Sequence, residues 1–231
     1  MLESNYVVIE GVIANLEISK VHVQFLARSR KTQRTAGIVA TIQAAAGEPG
    51  SVHSAQAATD GGDPVDGFKM MLGSQPVSGS FWQTTFQNGD HVQAVGEMQG
   101  NVFHAVAVVK PADGVIWMQP HCERGSIAKS RHLVKYSLAF AAAIFLMEAI
   151  LLRNVEIPLW LLLLASTLAV SVILIATVGM SWKDFMTFAK EMDKVGKALA
   201  ITTPGEIDLV KTTKISRKQG KPDLPMGVFY L

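Results

Sequence analysis

The sequence predicts a membrane protein of mixed α+β class. A small antiparallel β-barrel comes first, then a two-helix transmembrane hairpin, then a C-terminal amphipathic helix and tail. Three observations carry this reading. Two apolar runs, Tyr136–Leu152 and Leu159–Met180, flank a short turn. Short β-branched segments separated by glycine turns fill residues 6–26 and 81–118. Past residue 181 the apolar residues thin to a stripe among lysines and acids.

The second run has 22 residues and no charge. At about 1.5 Å per residue it reaches about 33 Å, enough for a hydrocarbon core of about 30 Å. The first has 17 residues and one charge, Glu148. The net charge of +2 is too small to point to nucleic acid. One cysteine, Cys122, allows no intramolecular disulfide, which fits a reducing compartment. Residues 1–25 lack the basic start, apolar stretch and small-residue cleavage site of a secretory signal. The expected domains are a barrel over 1–120, a basic junction over 121–135, the hairpin over 136–180 and the tail over 181–231.

Within the barrel, Tyr6–Ile13 is β-branched and Val21–Leu26 alternates. Asn88–Gly89 and Gln99–Gly100–Asn101 are turn signals that bound a strand, and Phe103–Val109 returns as its partner. Gly73–Pro76 centres a strand pair over 69–82. This spacing is that of a five-stranded, OB-like barrel. Residues 36–67, rich in Ala, Gly, Ser and Pro, read as an insertion with a short helix near Ala40–Ala46, and Gly61–Pro64 is expected to break regular structure. Such barrels often bind single strands through stacked aromatics. Phe81, Trp82, Phe86 and Phe103 are the few aromatics for that task, and Arg28–Lys31 with Arg34 is the one basic stretch, so nucleic acid ranks last among partners.

Hairpin orientation follows from charge. Arg124, Lys129, Arg131 and Lys135 precede it, Lys183, Lys190, Lys194 and Lys197 follow it, and only Arg153 lies in the turn. Basic flanks stay cytoplasmic, so both termini are expected in the cytoplasm and the turn outside. On the wheel of the second helix, Ser166, Thr167, Ser171 and Thr177 share an arc of about 140°, opposite Leu161, Leu164, Leu168, Val172 and Ile175. Ser137, Ala141 and Glu148 share a face of the first helix. These are the candidate helix-pairing or pore-lining residues. The plainer alternative has Glu148 near the outer interface, paired with Arg153 or reaching water. A two-helix hairpin encloses no pore, so conduction requires a homo-oligomer.

The Pro120–Gly125 string, Pro-His-Cys-Glu-Arg-Gly, resembles chemistry. Adjacent His121 and Cys122 diverge and lack metal-ligand spacing, and a nucleophilic Cys122 needs a base that only the fold can supply. A structural junction is the alternative. No phosphate loop, nucleophile elbow or carboxylate cluster occurs, so neither catalytic residues, cofactor nor metal is expected. Trp182, Phe185, Met186, Ala189, Met192 and Leu199 form an apolar stripe that lies in the interface or packs on the barrel. Ile207–Val210 reads as a short strand. Lys211, Lys214, Arg217, Lys218 and Lys221 are candidate headgroup-binding residues in a basic tail, and apolar Gly227–Leu231 is expected to dock.

Asp66–Lys69, Val77–Trp82, Asn88–Val92 with Gly96, and above all Lys110–Asp113 through Pro120–Gly125 before the hairpin, resemble a bacterial family described as type VI secretion effectors. The resemblance covers roughly residues 5–180. It implies association with an interbacterial secretion system and a membrane target, with a secretion-system or immunity protein as partner. It implies no catalytic residue.

Overall fold

The computed structural model describes residues 6–23, 63–151 and 158–231. The expectations for Arg28–Arg34, the helix at 40–46 and the turn at 153–157 lie outside the described residues. Seven strands form one sheet, and its first five close into a barrel. They are β1 Val7–Val23, β2 Asp63–Leu72, β3 Gln75–Phe81, β4 His91–Gln99 and β5 Val102–Lys110, in the order β3-β2-β1-β4-β5, closed by β3 pairing with β5.

Residues 7–23 form one strand rather than two. Val7–Val12 pairs with β4, and Ile13–Val23 pairs with β2. A register shift between Ala14 and Glu17 separates the halves, with Asn15 at φ 53°. Asn tolerates that left-handed region better than most residues, and Leu16 N–H donates to Asn88 Oδ1 at 2.9 Å. The bulge bends β1 so that it serves both neighbours.

Of the Gly61–Pro64 stretch expected to break regular structure, Asp63 and Pro64 instead open β2, with Pro64 opposite His22, while Gly61 and Gly62 lie outside the described residues. Proline is tolerated at the start of a strand, where few ladder bonds are lost. The β2–β3 hairpin turns at Gly73, φ 60°. The expected β4–β5 hairpin is present, turning at Gly100. Residues 82–87, expected as strand, instead form a loop that leads to the expected turn at Asn88–Gly89, zipped onto β1 by Ile13 N–H to Asp90 O and Gly89 N–H to Ile13 O, both 2.9 Å.

Closure is parallel, Val77–Gly79 against Phe103–Ala105. Gly79 makes it possible, because a Cβ there would lie 2.6 Å from Phe68 Cζ and 2.8 Å from Ala105 O. Inside, Phe68, Phe81, Phe86 and Trp117 pack ring on ring at centroid distances of 4.9–6.4 Å. Ile13, Met70, Leu72, Val77, Val92 and Phe103 complete the core.

Strand β6, Val115–Met118, pairs with the end of β5, and β7, Val228–Tyr230, pairs with β6. The C-terminal residues thus dock, as their apolarity implied. The outer edge of β7 is covered: Thr212 Oγ1 donates to Tyr230 O at 2.7 Å, and Tyr230 N–H donates to Thr213 Oγ1 at 2.9 Å.

Helix α1 spans Ser126–Leu151, 26 residues. Helix α2 spans Leu159–Ala198, 40 residues, about 60 Å of continuous helix. The amphipathic helix expected from Ser181 is therefore the second half of the apolar one. A single-turn 3-10 helix, Pro204–Glu206, leads to α3, Leu209–Lys218. Two sequence expectations are corrected here. Ile207–Val210 is no strand, because the Asp208 side chain caps α3 by accepting from Lys211 N–H. The basic tail is helical over Lys211–Lys218. Between interface and barrel, the α2 stripe takes the barrel. Met192 and Val195 pack with Val95, Val106, Ile116, Met118, Leu209 and Phe229 in a second core on the outer face of β4–β6.

Candidate functional site at the barrel–helix junction

The chain leaves β6 through a turn at Gln119–Cys122 and places His121 at φ 68°. Its Nε2 lies 3.1 Å from Asp63 Oδ2 at the start of β2. The imidazole sits between Trp82 and Phe188, centroids 5.6 and 5.3 Å away. One contact thus joins β2, the 82–90 loop and α2. Cys122 points the other way, fully buried in the second core. Burial, and then the nearby Glu123 carboxylate, push its thiol well above the ordinary range. A protonated, enclosed thiol is a poor nucleophile, so the structural-junction reading of this string is the one the geometry supports. Among the described residues no group of three His, Cys, Asp or Glu could hold a metal ion.

Four charges follow at the base of α1. Glu123, Arg124 and Lys129 are at most 5% exposed. Arg124 Nε lies 3.3 Å from Asp208 Oδ1, and Glu123 Oε1 lies 3.7 Å from Arg124 and 3.8 Å from Lys129. Lys129 also sits over the Phe185 ring. The α1 N-terminus is capped from α2, Ser126 N–H donating to Asp193 Oδ1 at 2.8 Å. Gly125 lets the 3-10 helix close over the junction: a Cβ there would lie 2.4 Å from Pro204 O. Arg131 pairs with Glu206 at 2.9 Å. On the opposite flank Tyr6 donates its hydroxyl to Glu191, which also binds Lys194. Burial, and then Glu191, hold the Tyr6 phenol far above its ordinary range, so it remains a donor. Buried charges need such partners, and here the pairs fix where α1 and α2 leave the barrel.

Ser130 Oγ meets Met186 Sδ at 3.7 Å, four residues along from the Ser126–Asp193 bond. The helices therefore run antiparallel in the turns nearest the barrel. Farther out, Ser137, Ala141 and Glu148 lie on the half-buried stripe of α1, with Ile144 and Phe145. Ser166 is buried on α2. The expected hydroxyl arc splits, however. Thr167 is exposed and donates to its own helix at Leu163 O, 2.7 Å, and Ser171 is exposed too. An arc of about 140° is wider than the seam one neighbouring helix covers. The Thr177 side chain lies outside the described residues. Leu161, Leu164, Leu168, Val172 and Ile175, the bulky face, are 44–74% exposed. One helix among the described residues, Ser126–Ile150, is long and apolar enough to cross a membrane, and none of its apolar window is buried in the protein.

Lys211, Lys214 and Lys218 are exposed together around Ile215, with Lys211 and Lys218 on the side of α3 away from buried Leu209. Arg217 pairs with Asp223, and Lys221 lies 4.6 Å from the Tyr230 ring centroid. The aromatics weighed for base stacking, Phe81, Trp82, Phe86 and Phe103, are all buried. A cavity of about 210 Å³ lies beside Asp90, Lys110, Asp113, Phe86 and Trp117. Lys110 bridges both carboxylates at 2.9 Å.

The buried ion cluster is the part the sequence reading missed. Glu123, Arg124 and Lys129 precede an apolar run and read as flanking charges; their partner Asp208 is some 80 residues away in sequence, and no local signal links them. Comparison with protein-family models, curated proteins and solved structures finds no match to this chain.

Proposed function

We propose that the chain is a type VI secretion-associated protein of a bacterial inner membrane. In this reading α1 and α2 span the bilayer as a hairpin and perturb it as an oligomer, with no enzymatic step. The barrel, OB-like in its strand order and parallel closure, stays on the cytoplasmic face. The observation that carries the reading is the unburied apolar window of α1. The core helix of a soluble protein hides its apolar side chains, whereas here Leu138, Leu146 and Ile150 are each more than 60% exposed. Water solvates such a continuous surface poorly and acyl chains cover it at no cost.

Two further features support it. Trp160 and Trp182, both exposed, stand 22 residues apart on α2. That is about 33 Å, the spacing of two aromatic belts across a bilayer. Of the eight basic flanking residues, Arg124 and Lys129 are buried in ion pairs. Six remain on the barrel side against Arg153 in the turn, which keeps the positive-inside bias. The exposed lysines of α3 add a surface that attracts anionic headgroups. The secretion assignment rests on the motif resemblance alone.

Induced expression tests the reading: the protein stays in the membrane fraction through alkaline carbonate, and a potential-sensitive dye reports depolarisation. Release by carbonate refutes the membrane reading. Retention without depolarisation favours the second reading, a membrane-anchored immunity, accessory or scaffold protein whose barrel binds a protein partner. The clamping of the barrel onto α2 favours that alternative, because it fixes one barrel face while, among the described residues, Val8, Val12 and Ile18 of β1 stay exposed.

A further inference from the structure

Glu148 has one carboxylate oxygen, Oε2, that is buried without a hydrogen-bond partner. Its depth follows from the helix register. Ser130 faces Met186 and Ser126 faces Asp193; counting one residue back along α2 for each residue up α1 brings Glu148 level with residues 168–171. Among the described side chains of that stretch of α2, Ser166 and Val170 are buried. That level is 8–11 residues from Trp160 and 11–14 from Trp182, or about 12–17 and 17–21 Å along the axis. A glutamate side chain has four bonds of about 1.5 Å from Cα to oxygen, at most about 6 Å. Glu148 therefore lies between the levels of the two α2 tryptophans, and its pairing with Arg153, weighed from sequence, lies outside the described residues.

We propose that Glu148 is a proton-binding site inside the bilayer, and that H⁺ is the ion the perturbed membrane passes. The inference rests on the membrane-spanning reading of α1 and α2. An ionisable group at this depth requires a partner, water or a proton. A hard metal cation takes six or more oxygens, and among the described residues no group of three His, Cys, Asp or Glu exists to supply them. A proton needs the carboxylate alone: one oxygen lone pair takes up H⁺ and later returns it, with no other reactant. Glu148 lies on the half-buried stripe of α1, and neither α1 between Tyr136 and Leu151 nor α2 between Leu159 and Met180 carries another acid or base.

Full-length protein in pyranine-loaded vesicles, a pH-sensing system, tests this together with a lipid-soluble carbodiimide. A protonated acid adds across the carbodiimide C=N bond, oxygen to carbon and proton to nitrogen, so the adduct retains every atom. Carbonate-resistant protein is expected to carry the adduct at Glu148. Glu148→Gln is expected to lose the adduct and to slow proton entry to the rate of protein-free vesicles, while Glu148→Asp keeps both. Inserted protein without adduct at Glu148, or a Glu148→Gln variant that leaks protons like the parent, overturns the proposal. Protein stripped by carbonate overturns the membrane reading instead, and this proposal with it.

Discussion

Met192→Ala tests whether the second half of α2 belongs to the barrel. Met192 is fully buried between α2 and the outer face of β4–β6, in contact with a cluster that includes Val95, Met118 and Leu209. Truncation removes three heavy atoms from an enclosed site, and such Met→Ala changes cost about 2–5 kcal/mol. At about 1.4 kcal/mol per decade, the unfolded fraction rises by roughly 30- to 4,000-fold. Domain stabilities are about 5–15 kcal/mol, so the effect is large. The readout is denaturant unfolding of purified protein in detergent, followed by tryptophan fluorescence in a Trp160→Phe/Trp182→Phe background. The remaining tryptophans, Trp82 and Trp117, report only on the barrel. The barrel midpoint is expected to fall, while Leu164→Ala on the exposed face shifts barrel stability by less than about 0.5 kcal/mol. If Met192→Ala also leaves the barrel within about 0.5 kcal/mol of the parent, the helix is not part of the barrel's fold.

Further outcomes follow from the junction and the cavity rim. Glu123→Ala removes the carboxylate that Arg124 and Lys129 share; breaking a buried pair costs about 3–5 kcal/mol, so limited proteolysis should cut between barrel and helices far faster than in the parent, and an unchanged rate would contradict the ion-cluster account. Burial pushes the Asp90 carboxyl up, but Lys110 and the Gln87 N–H outweigh it and hold it below the ordinary carboxylate range. Its stabilisation is therefore present above that range and is lost as pH falls through the lowered value. Lys110, hydrogen-bonded to Asp90 and Asp113, is raised; its stabilisation is present below the ordinary lysine range and is lost as pH rises through the raised value. Unfolding midpoints should thus fall at both extremes, and Asp90→Asn should flatten the acid limb; an acid limb as steep as the parent's would exclude that pair. Cys122 should resist maleimide in native protein and react on denaturation, and rapid native labelling would contradict its burial.

Residue chemistry explains which features the sequence disclosed. The β4–β5 hairpin was legible because Gly100 at its turn, and Gly89 in the turn before β4, take the positive φ their neighbours avoid. The apolar runs were legible from composition. In contrast, β1 reads as two strands because the bulge at Ala14–Glu17 offsets the alternation on either side. The unity of α2 is hidden because its surroundings change near Trp182 while its backbone meets no proline. Strand β7 reads only as an apolar end, since its pairing with β6 joins Tyr230 to Val115. The basic run of α3 reads as a tail until the Asp208 cap and the Thr212–Tyr230 bond place it. For the candidate site, wheel arithmetic put Ser137, Ala141, Glu148 and Ser166 on inward faces. Thr167 and Ser171 of the same arc are exposed instead, because a wheel fixes relative angles and not the width of the seam.

The most direct test of the central claim is sidedness. Single cysteines at Asn154 and Lys214, in a Cys122→Ser background, are exposed to a membrane-impermeant maleimide applied outside spheroplasts. A hairpin with cytoplasmic termini predicts labelling at residue 154, and at residue 214 only after lysis. Equal labelling of both before lysis, or of residue 214 alone, would contradict it.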